Sequence, residues 1–157
     1  MVHVCDAQRH RPGIFRGDGG SVDTGVGHGH TGWMVAPVNI DEAFDRFDDR
    51  WAPRVLARIN DYDVRIAKVE GHHAWHSHQD TDEFFMCLSG QFTIEMRDQT
   101  VVLEPGDVFT VPRGIEHFPH AADGTRILMF EREGTATTGD DHGDITHLRT
   151  THGIALE

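Results

Sequence analysis

The spacing of hydrophobic positions changes character twice along the chain. Residues 1–37 show no period at all. They hold eight of the seventeen glycines and few large apolar side chains, a composition that cannot offset the entropy of ordering by burial. A flexible arm is expected there, with residues 38–157 forming the folded domain. From Val38 onward, Ile40, Phe44, Phe47 and Trp51 recur at steps of three and four, so one face of a helix is apolar. Asn39 or Asp41 is placed to cap it, and acidic residues fill its first turn. The spacing predicts a short amphipathic helix over 41–50. Pro53 breaks it, after which Val55, Leu56 and Ile59 offer a second small apolar face to this helical front piece. Asn60 and Asp61 then form a turn.

After Asp61 the period falls to two. Val64, Ile66 and Lys68 alternate with Arg65, Ala67 and Val69, and short runs follow over 83–88, 92–97, 100–104, 107–111, 117–120 and 126–132. Turn signals separate them: Ser89-Gly90, Arg97-Asp98-Gln99, Pro105-Gly106 and Asp123-Gly124. Many short strands joined by close turns predict an all-β domain, an antiparallel sandwich or barrel. Beyond Glu133 the chain becomes rich in Thr, Gly and Asp, with a brief apolar pattern at Ile145 and Leu148. An extended, exposed tail, with a last turn of helix, is expected there.

Length and charge narrow the function. A chain of 157 residues makes one ordinary domain with a real core. The formal net charge is -12 and Lys68 is the only lysine, so nucleic acid or an acidic membrane surface meets repulsion over most of the protein. Cys5 lies in the loose arm and Cys87 within an apolar strand, which disfavours a disulfide and suits a reducing compartment. With no run of eighteen apolar residues and no apolar leader segment, neither a membrane span nor export is indicated. The expected location is the cytoplasm.

The chemistry concentrates between Gly71 and Gly90, GHHAWHSHQDTDEFFMCLSG, and between Gly106 and His117, GDVFTVPRGIEH. His76 and His78 are two residues apart, so on a strand both imidazoles point to one face. Glu83 opens the apolar run Phe84 to Leu88 and shares its face with Phe85 and Cys87; a carboxylate in such company needs a cation or strong hydrogen bonds. His117 follows the tight turn Pro112-Arg113-Gly114, which can aim its ring at the first pair. Three imidazoles and one carboxylate suit one divalent transition metal ion, Fe, Mn, Ni, Co, Cu or Zn, and match calcium poorly. Two positions on a six-coordinate ion would stay open for water, substrate or dioxygen.

The remaining candidates have plainer readings. His28 and His30 belong to a solvated Gly/His tract, and His72, His73 and His120 read as loop or surface histidines. Phe85, Phe92, Ile94, Met96, Phe109 and Val111 read as barrel lining, Cys87 as an apolar filler, Trp75 as a lid or plug, and Glu116 as solvent-facing. Apart from Glu83 with the surface acids there are no paired carboxylates, and no nucleophile pair or phosphate loop is evident.

These two stretches resemble the motifs of the cupin superfamily. The first is usually G, five residues, HxH, three or four residues, E, six residues, G, and here it is carried by Gly71, His76, His78, Glu83 and Gly90. The second, G, five residues, PxG, two residues, H, three residues, N, is carried by Gly106, Pro112, Gly114 and His117. There are two departures. Only four residues separate Gly71 from His76, and Ala121 stands in place of the Asn. From Val38 on, the chain is similar to small single-domain cupins likened to the terminal part of mannose-6-phosphate isomerases. They share Phe47, Trp51-Ala52-Pro53, Asn60-Asp61, Trp75-His76 and Thr138-Gly139.

The resemblance implies a jelly-roll barrel, a double-stranded β-helix, with His76, His78, Glu83 and His117 as metal ligands. It also implies a homodimer that covers exposed sheet edges. Two functions are consistent with it. One is a metal-dependent enzyme, dioxygenase-like or isomerase-like, acting on a small oxygen-rich molecule. The other is a metal and small-ligand binding or sensing module without turnover. A catalytic pocket is expected to offer an acid or base opposite the metal, whereas a binding pocket could be wholly apolar.

Overall fold

The computed structural model describes residues 36–157; the arm expected over 1–37, with His28 and His30, lies almost wholly outside them. One short helix, α1 (Ile40–Phe44), precedes ten strands: β1 (Arg54–Ile59), β2 (Tyr62–His72), β3 (His76–Ser77), β4 (Glu83–Ser89), β5 (Phe92–Met96), β6 (Thr100–Leu103), β7 (Val108–Val111), β8 (His117–Arg132), β9 (Asp141–His142) and β10 (Ile154–Ala155). The sheet runs β10-β1-β2-β8-β3-β9. From it branch β4, paired with β7 and β8, and β5, paired with β6 and β8. It is a jelly roll left open at its edges, as the alternating strands imply.

The spine is β8. It pairs with β2, β3, β4 and β5, so the runs expected separately at 117–120 and 126–132 are one continuous strand. Its buried residues alternate through Thr125, Ile127, Met129 and Glu131. Ile127 and Met129 meet Ala67 and Val69 of β2, Phe85 and Cys87 of β4, and Phe92, Ile94 and Met96 of β5 in one apolar core.

The helical front piece is shorter than its apolar spacing suggests. Asn39 caps α1, its side chain accepting from the Glu42 amide at 3.1 Å, but the helix ends at Phe44. Asp45, Asp48 and Asp49 follow, and carboxylates near a helix C-terminus oppose its dipole. Phe47 is still buried, packing with Ala43, Phe44 and Ile66 on the outer face of β2. Residues 54–59, read as a second apolar helical face, instead form β1, pairing with β2 and with β10. Asn60, at φ 57, makes the expected turn into β2. The tail beyond Glu133 also departs from expectation: it is extended, but Thr137, Thr138 and Thr151 are buried, and β9 docks on β3.

Candidate metal centre

The centre is assembled from three parts of the sheet. His76 on β3 lies directly opposite His117 on β8, so backbone pairing alone brings two imidazoles together, with ring centroids 4.2 Å apart. His78 lies just past the end of β3, where its carbonyl accepts from the Gly114 amide at 2.7 Å. That bond ties the tight turn before His117 to the His-Ser-His segment. Glu83 begins β4 facing inward, as do Phe85 and Cys87. One ligand atom from each of His76, His78, Glu83 and His117 lies within 4.8 Å of the others, and all four residues are buried. The four residues singled out in the sequence therefore converge.

Hydrogen bonding prepares two of these atoms for a cation. His76 donates from Nδ1 to the Ala74 carbonyl at 2.9 Å, and His117 from Nδ1 to the Ile115 carbonyl at 3.0 Å. A carbonyl only accepts, so both rings carry their proton on Nδ1 and leave the Nε2 lone pair free, the tautomer a metal needs. Yet His117 Nε2 stands 3.1 Å from Glu83 Oε2. Two lone pairs at that distance repel unless a proton or a metal cation lies between them. Both ring nitrogens of His78 are buried without a hydrogen-bond partner, with Nε2 3.4 Å from the same carboxylate oxygen. Orphaned buried nitrogens are costly, and a cation at the cluster would satisfy the one that faces Glu83. The cluster is able to hold a metal ion.

The electrostatics agree. Burial would push the Glu83 carboxyl up, but the neighbouring imidazoles of His78 and His117 hold it well below the usual range. Burial likewise works against the charged form of His78, and the Glu83 carboxylate outweighs it and raises the pKa. His76 goes the other way, lowered to about 3 by burial and by His117, and so stays neutral at ordinary pH. The carboxylate is ionised and His76 offers a lone pair, as ligation requires.

Beside the cluster opens a small cavity of about 30 Å³. Trp51, Pro53, Phe85, Phe92, Ile127 and Met129 supply much of its wall, and His73, His76, Glu83 and Thr137 its ionisable or hydroxyl groups. Of the side chains expected to line the barrel, Phe85 and Phe92 reach this space; Ile94, Met96 and Val111 pack in the core behind it, and Phe109 is partly buried against that core. Trp75 is not part of the wall: it stacks on Phe118 with Arg97 over its ring. The wall tryptophan is Trp51, at φ 53, a conformation uncommon outside glycine. Its backbone N–H donates to the Lys68 carbonyl at 3.0 Å and its indole N–H to the Glu70 carbonyl at 2.8 Å.

His73 corrects the surface reading of its sequence neighbourhood. It is buried, its Nδ1 has no hydrogen-bond partner, and its ring lies between Trp51 and His76 at 5.0 and 4.9 Å. Burial lowers its pKa to about 4. The other plain readings hold: His72 and Glu116 are exposed, and the half-buried His120 bonds Glu95 at 3.1 Å.

A second feature was invisible in the sequence. Asp63 of β2 pairs with Glu131 of β8, and Phe84 with Phe130, so Glu131 and Glu83 stand one register step further on, on the same inner face. Asp63 and Glu131 are as buried as Glu83, not surface acids. Arg65, wholly buried, answers both, at 3.0 Å to Asp63 and 2.6 Å to Glu131. Burial and the nearby Glu83 charge raise the Glu131 carboxyl to about 8.

Comparison with known proteins places this arrangement. The profile of the Cupin_2 family, described as a cupin domain, matches residues 62–131. A cupin-2 domain containing protein from Shewanella frigidimarina is 40% identical, the match covering 60% of this chain and 93% of that one with a TM-score of 0.59. The chain belongs to the cupin family. This cupin is also 38% identical over 83 residues to the uncharacterized protein YdbB of Bacillus subtilis, a match of 52% of this chain and 74% of that one. Protein NMB1881 of Neisseria meningitidis, at 19% identity, has the same fold, with a TM-score of 0.57 over 62% of this chain and 99% of its own.

Both departures from the cupin motifs fall on backbone away from the ligands. Gly71, at φ 67, follows a bulge in β2 and pairs with Ala121, so the shorter spacing to His76 is absorbed where the missing Asn would stand. Thr138-Gly139 closes the other side, with the Asp140 amide donating to the Ser77 carbonyl at 2.9 Å. No helix among the described residues is long and apolar enough to cross a membrane.

Proposed function

We propose that this cupin is a metal-dependent enzyme in which His76, His78, Glu83 and His117 hold one divalent transition metal ion and a small molecule binds beside it through oxygen. The observation that supports this most is the pairing of converged, buried donors with carbonyls that fix two of the imidazoles in the ligating tautomer. Once bound, such an ion supplies Lewis acidity and, if redox-active, a site for dioxygen.

The protein's own groups do the rest. Ala74 and Ile115 hold the rings of His76 and His117 in place. The Glu83 carboxylate lowers the net charge of the centre. The largely apolar cavity wall lowers the local polarity beside the cluster, which strengthens electrostatic interactions there. His73 gives that wall a neutral imidazole next to His76, within the space a substrate would occupy, and this favours turnover over mere binding. A sugar isomerase needs partners for several hydroxyls, and this wall supplies few, so oxidative chemistry is the better match.

Elemental analysis of the full chain, purified without a metal-affinity step, tests the reading. Roughly one equivalent of a transition metal is expected, lost in His76→Ala. Iron would be followed by oxygen-consumption assays. Native protein with no metal, and no uptake of Fe, Mn, Ni, Co, Cu or Zn, would end the proposal.

A further inference from the structure

Resting on the proposed metal site, we infer that the substrate carries its oxygen atoms in one head group at the metal, and that the rest of it is a small uncharged apolar body. The cavity wall carries this inference. Trp51, Pro53, Phe85, Phe92, Ile127 and Met129 face the space next to Glu83 and His76, joined by Ala67, Val69 and Pro119. Neither lysine nor arginine is among the lining residues. Arg65, the nearest buried cation in the core row, is spent on Asp63, Glu131 and the carbonyls of Thr135 and His152. A phosphate or a second carboxylate would find no counter-charge.

Hydroxyl groups fare no better. Apart from the proposed ligands His76 and Glu83, the polar side chains of the wall are His73 and Thr137. Thr137 already accepts from the Thr151 amide at 3.0 Å. The Thr137 O–H and the ring of His73, whose Nδ1 is buried without a partner, are then the few uncommitted hydrogen-bonding groups of the wall besides the proposed ligands. A polyol body would bury several hydroxyls against aromatic and aliphatic carbon with nothing to bond, and each one costs roughly ten- to a hundredfold in affinity. An apolar body meets the same wall with no such loss and gains from burial. His73 is then a specificity residue: it accepts or donates one hydrogen bond at the junction between head and body.

Two α-hydroxy acids that share a head and differ in body make the test. The full chain is loaded with Co²⁺ and its visible d–d absorption is followed during titration with 2-hydroxy-3-methylbutanoate or with 2,3,4-trihydroxybutanoate. The apolar acid is expected to perturb the band at a concentration at least tenfold lower. Met129→Gln, which puts an amide into the wall at nearly constant volume, is expected to shrink that preference several-fold while Co²⁺ uptake stays stoichiometric. Equal or better binding of the trihydroxy acid would overturn the inference and leave the metal site standing, since the cobalt band reports the site by itself. A cobalt band that neither acid perturbs would also overturn it. A chain that takes up no Co²⁺ would instead remove the metal reading on which the inference rests.

Discussion

Replacing Arg65 with methionine should destabilise this cupin by about 5 kcal/mol at pH 8. The side chain is fully buried and joins Asp63 and Glu131, equally buried, as well as the Thr135 and His152 carbonyls. Removing one partner of a buried ion pair typically costs about 3–5 kcal/mol because the other charge is left uncompensated, and the two abandoned carbonyls add about 1 kcal/mol or more. Methionine returns part of that by filling the volume. For roughly 120 ordered residues the entropy of unfolding is about 0.25 kcal/mol per degree, so Tm should fall by about 20 °C.

The loss should depend on pH with a definite sign. Glu131 already sits at about 8 through burial, and removing a cation pushes it higher, while the unfolded chain keeps an ordinary carboxyl. Between those values the native state binds the extra proton, so stability falls as pH rises. The penalty of Arg65→Met is therefore larger at pH 8 than at pH 5. Urea unfolding followed by tryptophan fluorescence measures both, and adding Glu131→Gln to the variant should restore about 2 kcal/mol at pH 8. A loss below about 1 kcal/mol at pH 8, or a larger loss at pH 5, would refute the reasoning.

Two further outcomes follow from the same geometry. The metal-free protein should lose stability as pH falls from 6.5 towards 4, because unfolded His73 takes a proton at its ordinary pKa of 6.5 that the native residue refuses until about 4. His73→Gln should flatten that slope by about 1.4 kcal/mol per pH unit in urea titrations, and an unchanged slope would contradict the burial of the ring. Gly139→Ala should weaken metal binding at least tenfold in a chelator competition. Its new Cβ would lie 2.7 Å from the Ser77 carbonyl and 2.9 Å from the His76 Cβ, whereas Gly134, at a similar φ, meets nothing within 4 Å and serves as the control for backbone strain alone.

The His76, His78, Glu83 and His117 cluster was legible in the sequence because it depends on local rules. Strand parity at Glu83, Phe85 and Cys87 and the turn before His117 can be read from neighbours alone. What escaped depends on partners far along the chain. His73 looks like loop in its Gly-His-His context, and it is buried because Trp51 folds over it from another segment. Arg65 looks like a surface charge on an alternating strand until β8 brings Glu131 within 2.6 Å of it. Val55, Leu56 and Ile59 fit a helix as well as a strand, and β10, which helps hold them as a strand, lies at the other end of the domain.

The position of β8 sets a timetable for synthesis. Tyr62 pairs with Arg132, His76 with His117, Phe84 with Phe130 and Phe92 with Ala121. β4 can pair with β7 once Val111 is made, but nothing joins Glu83 to His76 and His78 until residues 117–132 have left the ribosome. Contacts this distant in sequence form slowly, and the nascent chain must wait with His76, His78 and Glu83 translated but uncollected. The ion therefore has no site to enter while the first two thirds of this domain are being made. The four-residue cluster exists only once one late strand has drawn its members together.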